Sequence, residues 1–593
     1  MRFKSEKTGG FQVFAVSGVN TVSFGIDATT KAKKGLLGFA VERTDPSGKS
    51  KTIPGFKVFQ SLIPKPDSKT RVSTREHPVQ SFVWDDFTAQ PGSHYQYRFI
   101  PMKGKPGALQ PLDPVEIGVD TEPLFSKDEH DVFFNRGVAS SQAYTREFGN
   151  GPLEKLPDGK KKEALEWLSR RLDEALLDFI KAAKPGDALR CCFYEFRYRP
   201  VVEALKTAIE DGVDVMVIVD AKEKVTKDKD GKPTDPFPRK ENLDLIAKVG
   251  IPDDRVILRE ARKNNIQHNK FMVLLRKQGK KKVVPEEVWT GSTNISDGGI
   301  HGQTNVGHWL RHTGVAKHFF DYWTLLSGDP GAHDGDDRST SRKRNDELKK
   351  AVEQINDVPD AVKKVGKGVT AVFSPRTDTT VLDLYFDLVD TAKTSGCITL
   401  AFGVSDSFKQ KLVSHTSASQ IVFMLLEKED KPKKDGKEPF VKLNATNNVY
   451  QAFGAFLDDP VYQWARETNT RKLSLNTHVM YIHSKFLLRD PLGTDPIVVT
   501  GSANFSVAST EENDENMLII RGSRRVADIY FTEFNRLFNH YYFRAVHQTT
   551  SNTGSGDVAA SLFLDEDDSW LEKYQKGKLK QKRLDLYTGM KGF

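Results

Sequence analysis

The sequence is poor in cysteine and has no long apolar run. Only three of its 593 residues are cysteines, and each of them, Cys191, Cys192 and Cys397, lies in an apolar stretch. Such residues are typical of buried thiols, so neither a disulfide framework nor a zinc site is predicted. No segment approaches the roughly 20 apolar residues of a membrane-spanning helix, and the first residues lack the apolar core of a secretory signal. We therefore expect a cytoplasmic protein without a transmembrane segment.

The sequence also lacks a large excess of positive or negative charge. The chain has 88 basic and 80 acidic residues, which leaves a net charge of +8. This small excess is typical of a solvated surface and favours an anionic partner, such as a nucleic acid or a phospholipid, only weakly. With 38% hydrophobic and 28% charged residues the composition is that of a globular protein. The length exceeds what one core can organise, so several domains are expected.

Residues 1–125 alternate strand-like segments with turn-forming ones. The segments FQVFAVSG, TVSFGIDA, LLGFAVERT, QSFVWDDF and HYQYRFIPM are separated by stretches such as DPSGKS and AQPGS. Short strands at this spacing predict an all-β sandwich resembling fibronectin type III or immunoglobulin-like modules. It carries no reactive cluster of side chains, so we predict an accessory domain that positions or docks the rest.

From residue 126 onward, predicted helices and strands alternate, and their order occurs twice. In the first half one helical stripe is formed by Leu165, Leu168, Leu172, Leu176 and Ile180. Setting AAKPGDALRCCF beside TAKTSGCITLAF aligns Phe193 with Phe402, which predicts an internal duplication. We divide the chain into the sandwich, a first half (126–340), a second half (341–548) and a C-terminal extension (549–593).

A Gly-, Asp- and Ser-rich stretch at 327–346 is the predicted linker between the halves. Its histidine and aspartates suggest a metal site less strongly than a solvated loop.

Each half carries the same cluster of polar residues. A histidine and a lysine stand two residues apart in an apolar stretch, and a Gly-Ser-x-Asn sequence follows after a turn. The residues are His268, Lys270, Ser292 and Asn294 in the first half and His483, Lys485, Ser502 and Asn504 in the second. On a strand, residues two apart share a face, so each histidine is expected to point the same way as its lysine.

These residue types suit a phosphate. Lysine supplies a positive charge, serine and asparagine supply hydrogen bonds, and glycine lets the backbone approach a ligand closely. Histidine can act as nucleophile, acid or base near neutral pH. Two such clusters facing each other across a pseudo-two-fold interface would put a nucleophile on one side and a proton donor on the other. The sequence therefore predicts one composite phosphate site.

The paired motifs resemble the signature of the phospholipase D superfamily, H-x-K-x4-D with G-S-x-N. HSKFLLRD fits the first pattern through Asp490, and NDEN at 513–516 resembles the downstream Asn-x-Glu element, with Glu515 as its carboxylate. The resemblance covers roughly two-thirds of the chain. It implies a duplicated α/β/α sandwich with mixed sheets, preceded here by the all-β sandwich.

The resemblance also implies a phosphodiesterase that works through a phosphohistidine. His268 would be the nucleophile, and His483 would protonate the leaving alcohol and later deprotonate water. The lysines and asparagines of both motifs would bind the non-bridging oxygens. This scheme needs no metal and no other cofactor. Since the duplication supplies both half-sites, a monomer would suffice.

The first half departs from the superfamily pattern at the aspartate. Leu275 stands where the second half has Asp490. Asp490 lies seven residues after His483, so on a regular strand it faces away from the histidine. We therefore predict that Asp490 supports the end of the strand.

A second departure concerns the carboxylate. Thr304 or Asn305 stands where the second half has Glu515. Glu515 is expected to hold one histidine, whereas an amide such as Asn305 or Gln303, or a carboxylate from elsewhere, would hold the other. His301 and His308, which flank this segment, are further candidates for pocket residues.

Three hypotheses of function remain. A phospholipid headgroup is the leading substrate, because two motifs in one chain are typical of phospholipase D-like and cardiolipin synthase-like enzymes; peripheral membrane contact is compatible with it. A nuclease or protein–DNA phosphodiesterase follows, favoured by the missing membrane segment and by the basic run 276–282, which is expected near the site. The lost carboxylates motivate a non-catalytic phosphate-binding scaffold, but the complete double set of histidines and lysines argues against it.

Overall fold

The fold is taken from a computed structural model. It describes residues 1–55, 57–66, 70–137, 141–149, 151–222, 226–227, 233–234, 236–279, 282–413, 415, 420–428, 447–454, 473–475, 481–552 and 563–593. All predicted site residues fall within these ranges. In the same ranges, no helix combines the length and the apolar character that crossing a membrane requires.

The N-terminal part consists of two antiparallel sheets over a shared core. One sheet comprises Arg2–Lys4, Phe11–Ser17, Val22–Ala28 and Val83–Asp86. The other comprises Gly38–Thr44, Ser50–Thr52, His94–Lys105, Ala108–Pro111 and Val115–Asp120. Phe24, Val41 and Phe99 from the two sheets belong to the same buried cluster. The predicted all-β character is confirmed, and the likeness to immunoglobulin-like modules stays a prediction.

The end of the chain packs on these N-terminal sheets. Phe563–Leu564 pairs in parallel with Val58–Phe59, and the Trp570 ring lies 5.2 Å from that of Phe82. The helix Leu579–Thr588 follows. The described part of the C-terminal extension therefore packs against the N-terminal domain.

Two seven-stranded mixed sheets share one strand order, which confirms the predicted duplication. The first runs His130–Phe134, Val306–Arg311, Lys282–Gly291, Lys270–Gln278, Ala188–Phe193, Asp214–Asp220 and Val256–Arg259. The second runs Gly368–Ser374, Glu515–Arg521, Ile497–Gly501, Phe486–Arg489, Ser395–Leu400, Ile421–Leu426 and Val449–Phe453.

Helices cover both sheets. Those of the first half are Ser141–Phe148, Asp158–Ser169, Leu172–Ala182, Arg199–Glu210, Arg239–Val249 and Thr313–Ser327. Those of the second half are Arg338–Glu353, Thr380–Asp390, Asp406–Val413, Val507–Glu511 and Arg524–Asn552.

Two predictions of local structure are wrong. The single helix expected around residues 165–180 is broken, because Arg170 and Arg171 adopt positive φ angles of 49° and 69°. The buried Arg170 guanidinium lies 2.6 Å from Glu533 of the second half, so a tertiary ion pair accompanies the break. The predicted linker is shorter than expected, since Asp337 caps the helix Arg338–Glu353 by accepting a hydrogen bond from the Thr340 amide.

The register of the duplication also needs correction. Phe193 pairs with Lys270, and Ile398 pairs with Leu487. These pairs make Leu400 the counterpart of Phe193, two residues before the position assigned from sequence. Phe402, which the sequence alignment sets opposite Phe193, is 69% exposed, whereas Phe193 is buried.

The described residues of the basic run, 276–279 and 282, do not lie near the predicted site. The strand Lys270–Gln278 starts at the motif lysine and carries the chain away from it, by about 26 Å over its eight steps. The described part of the run therefore sits at the opposite end of the sheet, and it gives no support to a nucleic-acid substrate.

Candidate active site

The two histidines lie where the halves exchange backbone hydrogen bonds. The His268 amide donates to the Asp514 carbonyl (2.9 Å), and the His483 amide donates to the Thr304 carbonyl (3.3 Å). Regular strands begin only at Lys270 and Phe486, so each histidine precedes its strand instead of lying in it. The reason is that this backbone already pairs with the other half, which brings both rings to the interface.

His268 is held by the carboxylate of the opposite half. Its Nδ1 lies 2.9 Å from both oxygens of Glu515, and the Ser502 hydroxyl donates to Glu515 Oε2 (2.7 Å). An ionised carboxylate only accepts, so Nδ1 carries the proton and Nε2 is left for a substrate. Burial lowers the pKa of His268 to about 4, although Glu515 acts in the opposite direction. His268 is therefore a neutral imidazole near pH 7, and the lone pair of its Nε2 is available to act as a nucleophile or a base.

His483 is held in the same way by an amide. Its Nδ1 lies 2.8 Å from Asn305 Oδ1, which also accepts from the Ser292 hydroxyl (2.8 Å). The Asn305 Nδ2 donates to the Gly299 carbonyl (2.8 Å). A carbonyl can only accept, so this contact sets the orientation of the amide. The contacts of Ser292, Asn305 and His483 thus repeat those of Ser502, Glu515 and His268. The difference is that the neutral amide of Asn305 takes the place of the Glu515 carboxylate.

The two motif lysines, Lys270 and Lys485, lie close enough for their positive charges to repel each other. Lys270 Nζ donates to the His268 carbonyl (2.6 Å) and Lys485 Nζ to the His483 carbonyl (2.5 Å). Each lysine is only 1% exposed. Burial lowers the pKa of Lys270 to about 8, and burial together with nearby Lys270 lowers the pKa of Lys485 well below its ordinary value. The two lysines outnumber the Glu515 carboxylate beside them, and the negative charge of a phosphate would balance the excess.

The motif asparagines have different surroundings. Asn294 Nδ2 donates to Glu195 Oε1 (2.9 Å), and Glu195 forms an ion pair with Arg197 (2.8 Å). Among the described residues no partner is found for the buried Oδ1 of Asn294 or of Asn504. Glu195 is not among the residues predicted from the sequence, although an acidic residue near the end of the apolar stretch DALRCCFYEF is a usable signal.

The glycine of each Gly-Ser-x-Asn motif is required by close packing. A Cβ on Gly291 would stand 2.2 Å from the Val306 carbonyl oxygen, and one on Gly501 would stand 2.2 Å from that of Asn516. Real side chains do not approach this closely. Glycine therefore allows the strand that ends just before Ser292 or Ser502 to pack closely against the neighbouring segment, which carries Asn305 or Glu515.

Asn135, which lies outside both motifs, organises the segment around Asn305. Its Oδ1 accepts from the Asn305 amide (2.8 Å), and its Nδ2 donates to the carbonyls of Ile300 (2.8 Å) and Gln303 (2.7 Å). These bonds hold the single π-type turn Gly298–Gly302 in place. No spacing rule in the sequence points to Asn135, because its partners are main-chain atoms distant in the chain.

We expect Gly299→Ala to damage the site. The new Cβ would stand 2.4 Å from the Asn294 carbonyl oxygen, so Asn294 or the turn must shift. Overpacking of this kind costs about 1–3 kcal/mol, and we expect at least a tenfold fall in kcat per folded molecule. Thermal unfolding and a phosphodiesterase assay measure the two effects. Gly335→Ala is the matched control, since its Cβ would meet nothing within 4 Å; equal behaviour of the two variants would contradict the packing argument.

Asp490 binds backbone groups and not the histidine. Its carboxylate accepts from the amides of Lys393 (2.9 Å), Thr394 (2.6 Å) and Ser395 (3.3 Å). In the first half, an aspartate that precedes the neighbouring strand Ala188–Phe193 accepts the comparable backbone hydrogen bond. There Asp187 accepts from the Lys277 amide (2.8 Å), so the half with Leu275 has its own strand-end carboxylate.

We expect Asp490→Ala to lower stability and to leave chemistry nearly unchanged. Loss of the accepted hydrogen bonds should cost about 1–2 kcal/mol, while kcat should stay within about threefold because no bond reaches the histidine. Denaturant unfolding and steady-state kinetics measure both quantities. Asp495→Ala, at an exposed ion pair with Arg521, serves as control. A large loss of kcat in folded Asp490→Ala protein would give this residue a chemical role.

The other two histidine candidates have contacts of their own. His308 Nε2 lies 2.9 Å from His130 and its Nδ1 lies 3.1 Å from the Tyr530 hydroxyl, all within the interior. His301 is 1% exposed and packs against the Tyr198 ring. Within the described part of the chain, no three histidine, cysteine or acidic side chains are grouped to hold a metal ion.

Comparison with known families matches the duplicated part of the chain. The family model described as "Cardiolipin synthase, PLD-like domain" matches twice, at residues 176–323 and 387–538, which together make up half of the chain. Each match contains one His-x-Lys motif and one Gly-Ser-x-Asn motif. No curated protein matches the chain.

Solved structures with a similar fold include enzymes of several kinds. Phosphatidylserine synthase of Haemophilus influenzae Rd KW20 is 12% identical, with 67% of this chain and 94% of that chain covered and a TM-score of 0.40. The phospholipase D family member Nuc of Salmonella typhimurium is 24% identical over 26% of this chain and 84% of that chain, with a TM-score of 0.19. Polyphosphate kinase of Porphyromonas gingivalis is 11% identical over 59% of this chain, with a TM-score of 0.36, and the match spans only 42% of that enzyme.

Proposed function

Because this chain belongs to the phospholipase D-like family, we propose that it is a phosphodiesterase that forms a phosphohistidine. The observation that carries the proposal is the mirrored pair of histidines, each held at Nδ1 by a residue of the opposite half. Neither half has a complete site alone. Each half supplies one histidine and one lysine, and all four side chains are buried.

His268 is the proposed nucleophile. Its Nε2 attacks phosphorus, and the bond to the leaving oxygen breaks with its electron pair going to that oxygen, which takes a proton from His483; the His268 ring becomes positively charged. Glu515, 2.9 Å from Nδ1, stabilises that charge. The lysines and motif asparagines would bind the non-bridging oxygens and stabilise the charge that grows on them.

His483 is the proposed group for proton transfer. In the release step water, or an acceptor alcohol, gives its proton to His483 Nε2 while its oxygen attacks phosphorus. The P–N bond breaks, and its electron pair returns to His268. No metal ion takes part in these steps.

The substrate class we carry forward is a phospholipid headgroup diester, with a nucleic-acid diester as the alternative. The family description names a phospholipid-forming enzyme, which favours the first. A cytoplasmic location, a peripheral contact with a membrane and a monomeric active form remain predictions.

The alternative to an enzyme is a non-catalytic scaffold that binds phosphate. This hypothesis was suggested by the absence, in the first half, of a carboxylate equivalent to Glu515. The amide of Asn305 occupies that position with the same hydrogen-bond geometry to His483, so the departure does not disassemble the site and the scaffold is disfavoured.

The test is a side-by-side assay in EDTA on phosphatidylglycerol liposomes, phosphatidylcholine liposomes, single-stranded DNA and duplex DNA. We expect one class to be turned over and to label the protein covalently through an acid-labile phosphoryl bond. Turnover that EDTA abolishes would contradict the metal-free scheme. Binding of every diester without any turnover would favour the scaffold.

A further inference from the structure

Two buried arginines hold the backbone at the end of the strand His130–Phe134. Arg170 Nε donates to the Phe134 carbonyl (3.0 Å), and Arg536 Nη2 donates to the Asn135 carbonyl (3.1 Å). Arg170 lies in the first half, whereas Arg536 lies on the long helix of the second half. Both halves therefore fix the end of this strand.

One carboxylate joins the two arginines. Glu533 Oε1 accepts from Arg170 Nη2 (2.6 Å), and Glu533 Oε2 accepts from Arg536 Nε (2.8 Å). All three side chains are buried, so water cannot replace a charge that is lost here. Burial acts against ionisation of Glu533, but the two arginines keep its pKa below the ordinary value. Glu533 is therefore an anion that sets the positions of both guanidinium groups.

Hydrogen bonds connect this cluster to His483. The Asn135 amide donates to the Asn305 carbonyl (3.4 Å), and the Asn305 amide donates to Asn135 Oδ1 (2.8 Å). The side chain of Asn305 in turn holds His483 through its Oδ1 (2.8 Å). A displacement of the Asn135 backbone would therefore move the atom that orients His483.

The second half is supported at the matching place by a neutral group. Ser374 pairs with Glu515, which makes it the counterpart of Asn135. Its carbonyl accepts from the Tyr322 hydroxyl (2.5 Å), on a helix of the first half. In both cases a helix of the opposite half holds the backbone beside the residue that orients a histidine. The support behind His483 differs in depending on a buried carboxylate.

The N-terminal domain contacts the same carboxylate. The Thr21 hydroxyl donates to Glu533 Oε1 (3.1 Å), and both residues are buried. Thr21 lies in the turn before the strand Val22–Ala28. In that turn Gly18 packs on the long helix so closely that a Cβ would stand 2.2 Å from the Thr532 hydroxyl. The N-terminal domain thus meets the helix at the residue on which both arginines depend.

We propose that Glu533 is a positioning residue for the histidine that transfers protons, and that the N-terminal domain supports it through Thr21. The inference rests on the proposed mechanism, in which His483 protonates the leaving oxygen and later takes a proton from water. His268 and Glu515 are held by other contacts. Loss of the Glu533 charge therefore leaves the nucleophile in place and lets His483 move.

The test compares two steps of one reaction, with bis(p-nitrophenyl) phosphate as the substrate. Nitrophenolate leaves as a stable anion, so formation of the phosphohistidine needs little help from an acid, whereas its release by water needs a base. In folded Glu533→Gln we expect formation within about threefold of wild type and release slowed by about tenfold or more. Rapid-quench kinetics with excess enzyme and steady-state rates measure the two steps, and intact-protein mass spectrometry should show the phosphorylated protein accumulating.

A milder pair of variants keeps the test independent of folding. Thr21→Val removes one hydroxyl from the cluster at nearly constant volume, and we expect release to slow by about threefold. Thr21→Ser keeps the hydroxyl and should restore the wild-type rate. Asp86→Asn is the matched control, because Asp86 forms a buried ion pair with Arg43 (2.6 Å) within the N-terminal sheets. It should lower stability and leave the ratio of the two rates unchanged.

The outcomes separate this inference from the proposed function. If formation and release fall together in folded Glu533→Gln and Thr21→Val, or if neither changes, the positioning role is overturned and the phosphodiesterase stands. An equal slowing of release in Asp86→Asn would trace the effect to stability alone and would also overturn it. If wild-type protein turns over neither bis(p-nitrophenyl) phosphate nor lipid nor DNA, both proposals fail.

Discussion

His268→Ala should abolish turnover of p-nitrophenyl diesters, by at least about 10⁴-fold in kcat. The substitution removes the imidazole that Glu515 orients, and alanine offers no atom to attack phosphorus. No burst of nitrophenol and no covalent phosphoryl label should form. His483→Ala should also stop steady-state turnover, but it should still acquire the label, because His268 remains.

The difference between the two variants assigns the roles. Rapid-quench kinetics and intact-protein mass spectrometry measure the burst and the label. His94→Ala is the matched control: His94 also pairs with a carboxylate, Asp120 at 2.7 Å, but on the exposed N-terminal sheet, so full activity is expected. A label on His268→Ala and none on His483→Ala would reverse the roles.

Glu515→Gln should lower kcat by about 10³- to 10⁴-fold without dismantling the site. The glutamine oxygen can accept from His268 Nδ1, and its amide nitrogen can donate to the Ser502 hydroxyl, which keeps the Asn516 carbonyl as its own acceptor (3.3 Å). Geometry is kept and the negative charge is lost, so the positively charged phosphohistidine loses its stabilisation. Asp120→Asn changes the exposed histidine–carboxylate pair and should leave kcat unchanged.

The pH profile adds an independent readout. Attack requires neutral His268, so the wild-type rate should rise with pH through the pKa of about 4. Glu515 raises that pKa, and its replacement by glutamine should move the acid limb to lower pH while the plateau falls. A pKa lowered from 6.5 in the unfolded chain also means that stability falls as pH drops from about 6.5 towards 4, because the unfolded state binds the proton first. A Glu515→Gln variant with wild-type kcat, or with its acid limb moved upward, would contradict this account.

Much of this protein follows from its sequence. The double motif, the duplicated order of helices and strands, and the all-β start are local patterns, and all of them are present in the structure. Asp490 does bind backbone amides at the end of the strand, but strand parity is not the reason, because His483 precedes the strand Phe486–Arg489 and Asp490 follows it. The composite nature of the site followed from the duplication itself.

Tertiary structure decided which residue faces which histidine. The sequence left Asn305, Gln303 and a distant carboxylate open for His483, because the choice depends on the other half of the chain. Glu195, Asn135 and the turn around Gly299 act through backbone atoms far away in sequence, and nothing local marks them. The same holds for the helix break at Arg170. The sequence by itself determined the two His-x-Lys motifs and their duplication; only the packing of the halves determined that one histidine is held by a carboxylate and the other by an amide, because these contacts join residues far apart in the chain.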